Sequence, residues 1–125
     1  MIPAPDGRIY SVNSDHGAGH FRTSKRRWLA RKSGAFYARQ AGIPPLARAR
    51  VETVIRIRNW QHADPQNYSG GATLKGILDG LVDAKVVVDD GHRYLDVVMP
   101  VMAKPTAPRQ YEVELLITDI GAGAA

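Results

Sequence analysis

Two stretches decide the fold: residues 50–58 (RVETVIRIR) and residues 73–84 (TLKGILDGLVDA). In the first, side chains alternate so that one face carries Val51, Thr53, Ile55 and Ile57. This period of two predicts a half-buried strand whose outer side is basic. In the second, apolar side chains recur three and four residues apart, at Leu74, Ile77, Leu78, Leu81 and Val82. That spacing predicts an amphipathic helix with Thr73 as its N-cap.

The other elements are predicted from the same periodicities and from turn residues. They are a strand over 7–12, a loop over 13–19, a helix over 23–41, a long loop over 60–71, and strands over 94–99 and 111–117 joined by a proline-containing loop. Thr23 or Ser24 is the expected N-cap of the first helix, and Gly42 with Pro44 ends it. This order predicts an α+β fold: a small mixed or antiparallel sheet with two main helices packed on it.

Length and composition predict one domain over residues 1–125, with about 1–7 and 120–125 flexible. The chain has no cysteine, which excludes disulfides and thiolate metal sites. No apolar run approaches the roughly 20 residues that span a bilayer. The first residues are too short and too polar a stretch for a signal peptide, so we expect a cytoplasmic protein.

The charge is divided unequally along the chain. Residues 1–60 contain twelve basic and three acidic residues, a net charge of +9, whereas residues 61–125 contain five basic and nine acidic residues, a net charge of −4. Basic surfaces often serve only solubility. The clustering of arginines here favours instead a surface that binds a polyanion such as nucleic acid.

The predicted first helix contains most of this positive charge. Lys25, Arg26 and Arg27 fall in its predicted first turn, where the helix dipole disfavours cations by about 0.3–1 kcal/mol each. A phosphate backbone lying across the helix would explain this placement. The simpler interpretation is that exposed charges in the first turn lower stability only slightly, so that their positions carry little meaning. Lys25, Lys32 and Arg39 repeat every seven residues and predict a basic stripe.

Four groups in the acidic half could perform phosphodiester chemistry. Asp64, Asp79 and Asp90 come from different elements, and Mg²⁺ is commonly held by one or two carboxylates with several waters. Lys75 lies one helical turn before Asp79 and could contact the scissile phosphate. Each has a simpler interpretation: Lys75 and Asp79 as an i, i+4 ion pair, and Asp64-Pro65 and Asp89-Asp90-Gly91 as turns.

These residues also carry a resemblance to a known family. Asp64-Pro65-Gln66-Asn67, Thr73-Leu74-Lys75, residues 78–84 (LDGLVDA) and Asp89-Asp90 resemble the core signature of RusA-like Holliday junction resolvases of actinobacterial phages. Upstream, Asn13, Asp15-His16, the Lys/Arg-rich helix and residues 41–46 (AGIPPL) are similar to the same group. The match covers about residues 11–98.

The resemblance implies a homodimeric, Mg²⁺-dependent endodeoxyribonuclease that resolves four-way junctions by paired nicks in recombination and repair. It implies Asp64, Lys75, Asp79 and Asp90 as catalytic residues, with Asp64, Asp79, Asp90 and the neighbouring Asp89 as metal ligands. It also implies a host-cytoplasmic location if the chain is phage-encoded. The expected DNA-binding residues are Asn13, His16, Lys25, Arg26, Arg27, Arg31, Lys32 and Asn67.

Three departures keep an alternative open. Gln66 stands where one form of the signature has a second acid, the loop over 68–71 is longer than usual, and His16 replaces an expected Arg. The alternative is a branched-DNA-binding protein with an impaired metal site. A small basic regulator or RNA-binding protein is a further alternative, although no matching motif occurs.

Four aromatic residues are also open to two interpretations. We expect Trp28 and Phe36 to be core or dimer-interface anchors rather than base-stacking groups. Trp60 and Tyr68 flank the acidic loop, where they either stack on an opened junction base or pack the loop.

Overall fold

The computed structural model describes residues 2–3, 9, 15, 19–108 and 111–121. Its elements in chain order are β1 (Ile2–Pro3), α1 (His20–Gln40), β2 (Ala49–Arg56), α2 (Pro65–Ser69), α3 (Ala72–Asp83), β3 (Leu95–Val97), β4 (Val101–Ala103) and β5 (Glu112–Asp119). Helices combined with one mixed sheet confirm the predicted α+β class. The strand predicted over 7–12 falls almost entirely outside the described residues.

β2 is the central strand of the sheet. It pairs with β5 antiparallel along its whole length, and β5 in turn pairs with β1. The other edge of β2 is shared by β3 and β4, which both run parallel to it, one after the other. β4 was predicted as part of a loop, which is wrong: this three-residue segment between Pro100 and Pro105 continues the edge that β3 begins.

The alternation predicted for β2 is confirmed by its burial. Val51, Thr53 and Ile55 point into the core, whereas Arg50 and Glu52 point away from it. The core lies between this face of the sheet and the helices, where Ile55 packs with Ala30, Leu74 and Ile77, and Val51 with Ala38 and Leu81. On the opposite face, Val101 and Leu116 are 61% and 59% exposed.

α1 and α3 run in the same direction and touch backbone to backbone. A Cβ added to Gly80 would lie 2.5 Å from the carbonyl oxygen of Arg31 and 2.6 Å from the backbone nitrogen of Ala35. Gly76 is equally close to the carbonyl oxygen of Arg27, and Gly34 faces Ile77 of α3. Small residues at the crossing therefore bring the two helices unusually close together.

The buried side of α1 consists of small residues, namely Ala30, Gly34, Ala35 and Ala38. Of the two anchoring roles expected for Trp28 and Phe36, the one in the core is wrong, since they are 56% and 57% exposed, and the one at a dimer interface stays a prediction. Phe21 is 89% exposed. Close contact with α3 leaves room only for alanine and glycine, so the large side chains lie on the outer side.

The predicted helix starts need three corrections. α1 begins at His20 with Gly19 as its N-cap, so Lys25, Arg26 and Arg27 lie beyond its first turn and the predicted conflict with the helix dipole is reduced. α3 begins at Ala72 after Gly71 rather than with a Thr73 cap. The long loop predicted over 60–71 contains the short helix α2.

α2 starts from a local signal. The Asp64 side chain accepts a hydrogen bond from the backbone N–H of Gln66, and Pro65 occupies the first helical position, where its missing N–H costs nothing. Among the described helices, none is both long enough and apolar enough to cross a membrane.

Candidate functional site

α1 carries seven basic residues and no acid. Its inner side is joined to carboxylates: Arg26 lies 3.3 Å from Asp15, Arg27 lies 2.8 Å from Asp79, and Arg31 lies 2.5 Å from Asp83. On its outer side, Lys25 and Lys32 are exposed, and no acid in the described part of the chain lies within ion-pair distance of either. The helix therefore uses some cations to dock on α3 and presents others to solvent.

The ion pair between Arg27 and Asp79 involves a predicted catalytic acid. The Asp79 side chain is only 14% exposed, and one of its oxygens accepts the hydrogen bond from Arg27 Nε. The pKa of the Arg27 guanidinium is raised, first by this hydrogen bond and further by the negative charges of Asp79 and Asp90. Asp79 and Asp90 thus both lie close enough to Arg27 for their charges to raise its pKa. The simpler i, i+4 interpretation is wrong, because Asp79 pairs with Arg27 and not with the exposed Lys75.

A second arginine holds the other acid of α3. Arg31 donates from Nε and Nη2 to the two carboxylate oxygens of Asp83, and Arg39 donates to the Asp83 carbonyl. The hydrogen bonds from Arg31 hold the pKa of Asp83 below its ordinary value of 3.8. The two aspartates of the LDGLVDA helix, one turn apart, are therefore both engaged by arginines of α1.

The remaining predicted metal ligands are exposed. Asp64 Oδ1 caps α2 at 3.0 Å from the Gln66 nitrogen, and Asn67 donates its backbone N–H to the Asp64 carbonyl. Asp89 Oδ1 accepts the backbone N–H of Asp90 at 2.8 Å, within an exposed turn. Within the described ranges, no three acidic or histidine side chains converge as a metal cage. The four predicted ligands Asp64, Asp79, Asp89 and Asp90 are thus not gathered into one cluster.

A carboxylate from the predicted 13–19 loop stands at the start of α3. Asp15 Oδ2 accepts the backbone N–H of Ala72 at 2.8 Å, while Oδ1 pairs with Arg26. Its side chain is 11% exposed. Because helix N-termini leave N–H groups without intrahelical partners, Asp15 supplies the cap that Gly71 lacks. The loop predicted from sequence composition is wrong at Asp15, whose backbone is helical. Its partner Ala72 lies 57 residues away in the sequence.

Replacing Asp15 with alanine is expected to lower the free energy of unfolding by about 1–2 kcal/mol, because Ala72 loses its acceptor and Arg26 loses its counter-ion. Asp15→Asn keeps an acceptor oxygen and should lose less. Urea denaturation followed by circular dichroism measures both variants. Equal stability of Asp15→Ala and the unmodified chain would contradict this capping role.

Two other predictions concern residues around the acidic loop and upstream of α1. Trp60 and Tyr68 are partly buried against the core that contains Ile55 and Leu74, which confirms the loop-packing interpretation. Burial also raises the pKa of Tyr68. Asn13 and His16, both predicted DNA contacts, lie outside the described residues.

A scan against protein-family models and searches of curated proteins and of solved structures find no match to this chain.

Proposed function

We propose that this chain is a structure-selective endodeoxyribonuclease of the RusA type, which resolves four-way DNA junctions by paired nicks. The observation that carries the proposal is the position of α1 beside α3. A helix with seven cations and no acid lies along the helix that bears Lys75 and Asp79, and Asp64 precedes that helix by eight positions. A cationic helix that binds phosphates would thus hold DNA close to carboxylates and a lysine able to act on it.

The exposed carboxylates have the chemistry that Mg²⁺ requires. In the described part of the chain no hydrogen bond is made to Asp64 Oδ2 or to the Asp90 carboxylate, and one oxygen of Asp89 is likewise without one. Mg²⁺ is often held by one or two carboxylates together with substrate phosphate, so a three-acid cage is not required. One or two of these exposed carboxylates would hold the ion, which would neutralise phosphate charge and activate water. One oxygen of Asp79 accepts the hydrogen bond from Arg27, so a metal would meet this partly buried acid through its other oxygen.

In this proposal Lys75 contacts the DNA at the cleavage site. It lies in the first turn of α3, exposed, and forms no ion pair with any described acid. Its ammonium group is therefore available to bind a phosphate oxygen or to stabilise charge on the leaving oxygen.

The proposal includes a homodimer, since paired nicks on a junction with approximate two-fold symmetry require two equivalent sites. The open face of the sheet supports this part. Val101 and Leu116 are exposed there, and neither α1 nor α3 covers that face. Sedimentation equilibrium distinguishes a single chain of 13.7 kDa from a pair, and a monomer at all concentrations would remove the dimer from the proposal.

One observation favours the alternative of a branched-DNA-binding protein without cleavage. Asp79, which the signature assigns to the metal, is paired with Arg27 instead. Gln66 stands where one form of the signature has a second acidic ligand. Such a protein would bind the junction through α1 and leave it intact.

Competition binding tests the selective binding of branched DNA, which the nuclease and the non-cleaving binding protein have in common. We expect a labelled four-way junction to be displaced by unlabelled junction at much lower concentration than by linear duplex of the same sequence. Its affinity should also fall steeply between about 50 and 200 mM salt, because binding releases counterions. Equal displacement by junction and linear duplex would contradict branched DNA as the substrate.

A further inference from the structure

The outer side of α1 combines exposed aromatic rings with cations along a single line. At 100° per residue, the side chains of this line fall within an arc of about 80° on the helix. We name it the aromatic–cationic stripe, and it consists of Phe21, Lys25, Trp28, Lys32, Phe36 and Arg39. Its rings follow one another at about 10–12 Å along the helix axis, with a cation between each successive pair.

Most of the stripe points to solvent, while Arg39 at its end donates a hydrogen bond to the Asp83 carbonyl of α3. Of the buried residues of α1, Ala30, Gly34 and Ala38 lie on the other side of the helix, where they meet α3 and the sheet, whereas Ala35 borders the stripe beside Trp28. Three large aromatic side chains 56–89% exposed on one line are unusual for a surface with no binding role. Lys32 Nζ lies 5.4 Å from the centre of the Trp28 ring, so ring and cation form one contact surface.

We propose that the aromatic–cationic stripe binds single-stranded DNA, with bases stacked on Phe21, Trp28 and Phe36 and phosphates contacted by Lys25 and Lys32. The inference rests on the proposed function and specifies which part of a branched substrate α1 contacts. Alternating rings and cations match the alternation of bases and phosphates in an unpaired strand. In duplex DNA the faces of the bases are stacked on each other and closed to these rings, so the rings specifically favour an unpaired strand.

The arrangement of charge disfavours two other binding partners for the aromatic–cationic stripe, namely a membrane surface and a second copy of α1. A membrane-surface helix keeps its cations on a polar face beside a continuous apolar face, whereas here the cations alternate with the rings on the same line. A second copy of α1 would set Lys25, Lys32 and Arg39 against like charges, because the helix has no acid to pair with them.

The test uses the full chain with Trp60→Phe, which leaves Trp28 as the only tryptophan. Titration with oligothymidylate of about 20 nucleotides should quench Trp28 fluorescence as bases stack on the ring. Trp28→Leu in the unmodified chain should lower affinity for the oligonucleotide by about 5-fold to 100-fold, the range for loss of one base–aromatic stack. Its affinity for linear duplex should change much less. Leu116→Ala is the control, since it removes an equally exposed apolar side chain from the opposite surface.

The outcomes separate this inference from the proposed function. Junction binding with unchanged Trp28 fluorescence and equal oligonucleotide affinity for Trp28→Leu would overturn the stripe as a single-strand site and leave branched-DNA binding intact. Binding to anionic lipid vesicles but not to the oligonucleotide would overturn it in favour of a membrane contact. Absence of binding to any DNA would overturn both proposals.

Discussion

Gly80→Ala is expected to lower the free energy of unfolding by about 1–3 kcal/mol, although alanine is the better helix former by about 1 kcal/mol. The added methyl group would lie 2.5 Å from the Arg31 carbonyl oxygen and 2.6 Å from the Ala35 nitrogen. Both are backbone atoms, so α1 and α3 must separate to accept it. Separation would also weaken the ion pairs of Arg27 and Arg31 across this interface.

Gly91→Ala is the matched control, because nothing lies within 4 Å of the position that its Cβ would occupy. Guanidinium chloride denaturation of the two variants and the unmodified chain measures the difference. A stability of Gly80→Ala equal to or above that of Gly91→Ala would show that the helices are not held in backbone contact.

The second large effect concerns DNA affinity. Replacing Lys25 and Lys32 together with glutamine is expected to lower junction affinity about tenfold or more at low salt, and to reduce the slope of log affinity against log salt by about 2. The reason is that the variant loses the two phosphate contacts made by Lys25 and Lys32. It therefore releases fewer counterions from the DNA on binding. Both side chains are exposed and unpaired in the described structure, so the fold should be unaffected.

Lys85→Gln with Arg93→Gln makes the same change in net charge at exposed positions outside α1. Fluorescence anisotropy of a labelled junction at several salt concentrations compares the two double variants. If both lose affinity equally, net charge rather than α1 governs binding, and the placement of DNA on this helix is wrong.

The sequence predicts well those elements whose periodicity matches their burial. In β2, alternate residues face the core, and in α3 the apolar spacing matches the buried face, so both elements were found within one or two residues of their observed ends. α2 was missed although Asp64-Pro65 is a helix-start signal, because the glycines at 70–71 were given more weight.

α1 shows why burial was harder to predict than helicity. Its contact surface is built from alanine and glycine, whereas the sequence predicted from hydrophobicity that Trp28 and Phe36 would be the anchors. Only the partner helix, with Gly76 and Gly80 at the crossing, explains why small residues are buried there.

The candidate site depends on the same long-range information. The resemblance singled out Asp79 from its local motif, but Arg27, the residue that engages it, lies 52 positions away. Asp15, which caps α3 from 57 positions away, has no local signal beyond being an acid in a glycine-containing stretch that was predicted as a loop. The sequence therefore indicated which residues could act chemically, but it did not show which residues they form hydrogen bonds and ion pairs with.

Cleavage of an end-labelled synthetic four-way junction by the unmodified chain, with Mg²⁺ and with EDTA, beside Asp90→Asn, tests the proposed endonuclease activity most directly. We expect symmetric nicks near the branch point that require Mg²⁺ and fall by at least about 100-fold in the variant, which retains junction binding. Tight binding of the junction without cleavage by the unmodified chain would contradict the endonuclease and leave a branched-DNA-binding protein.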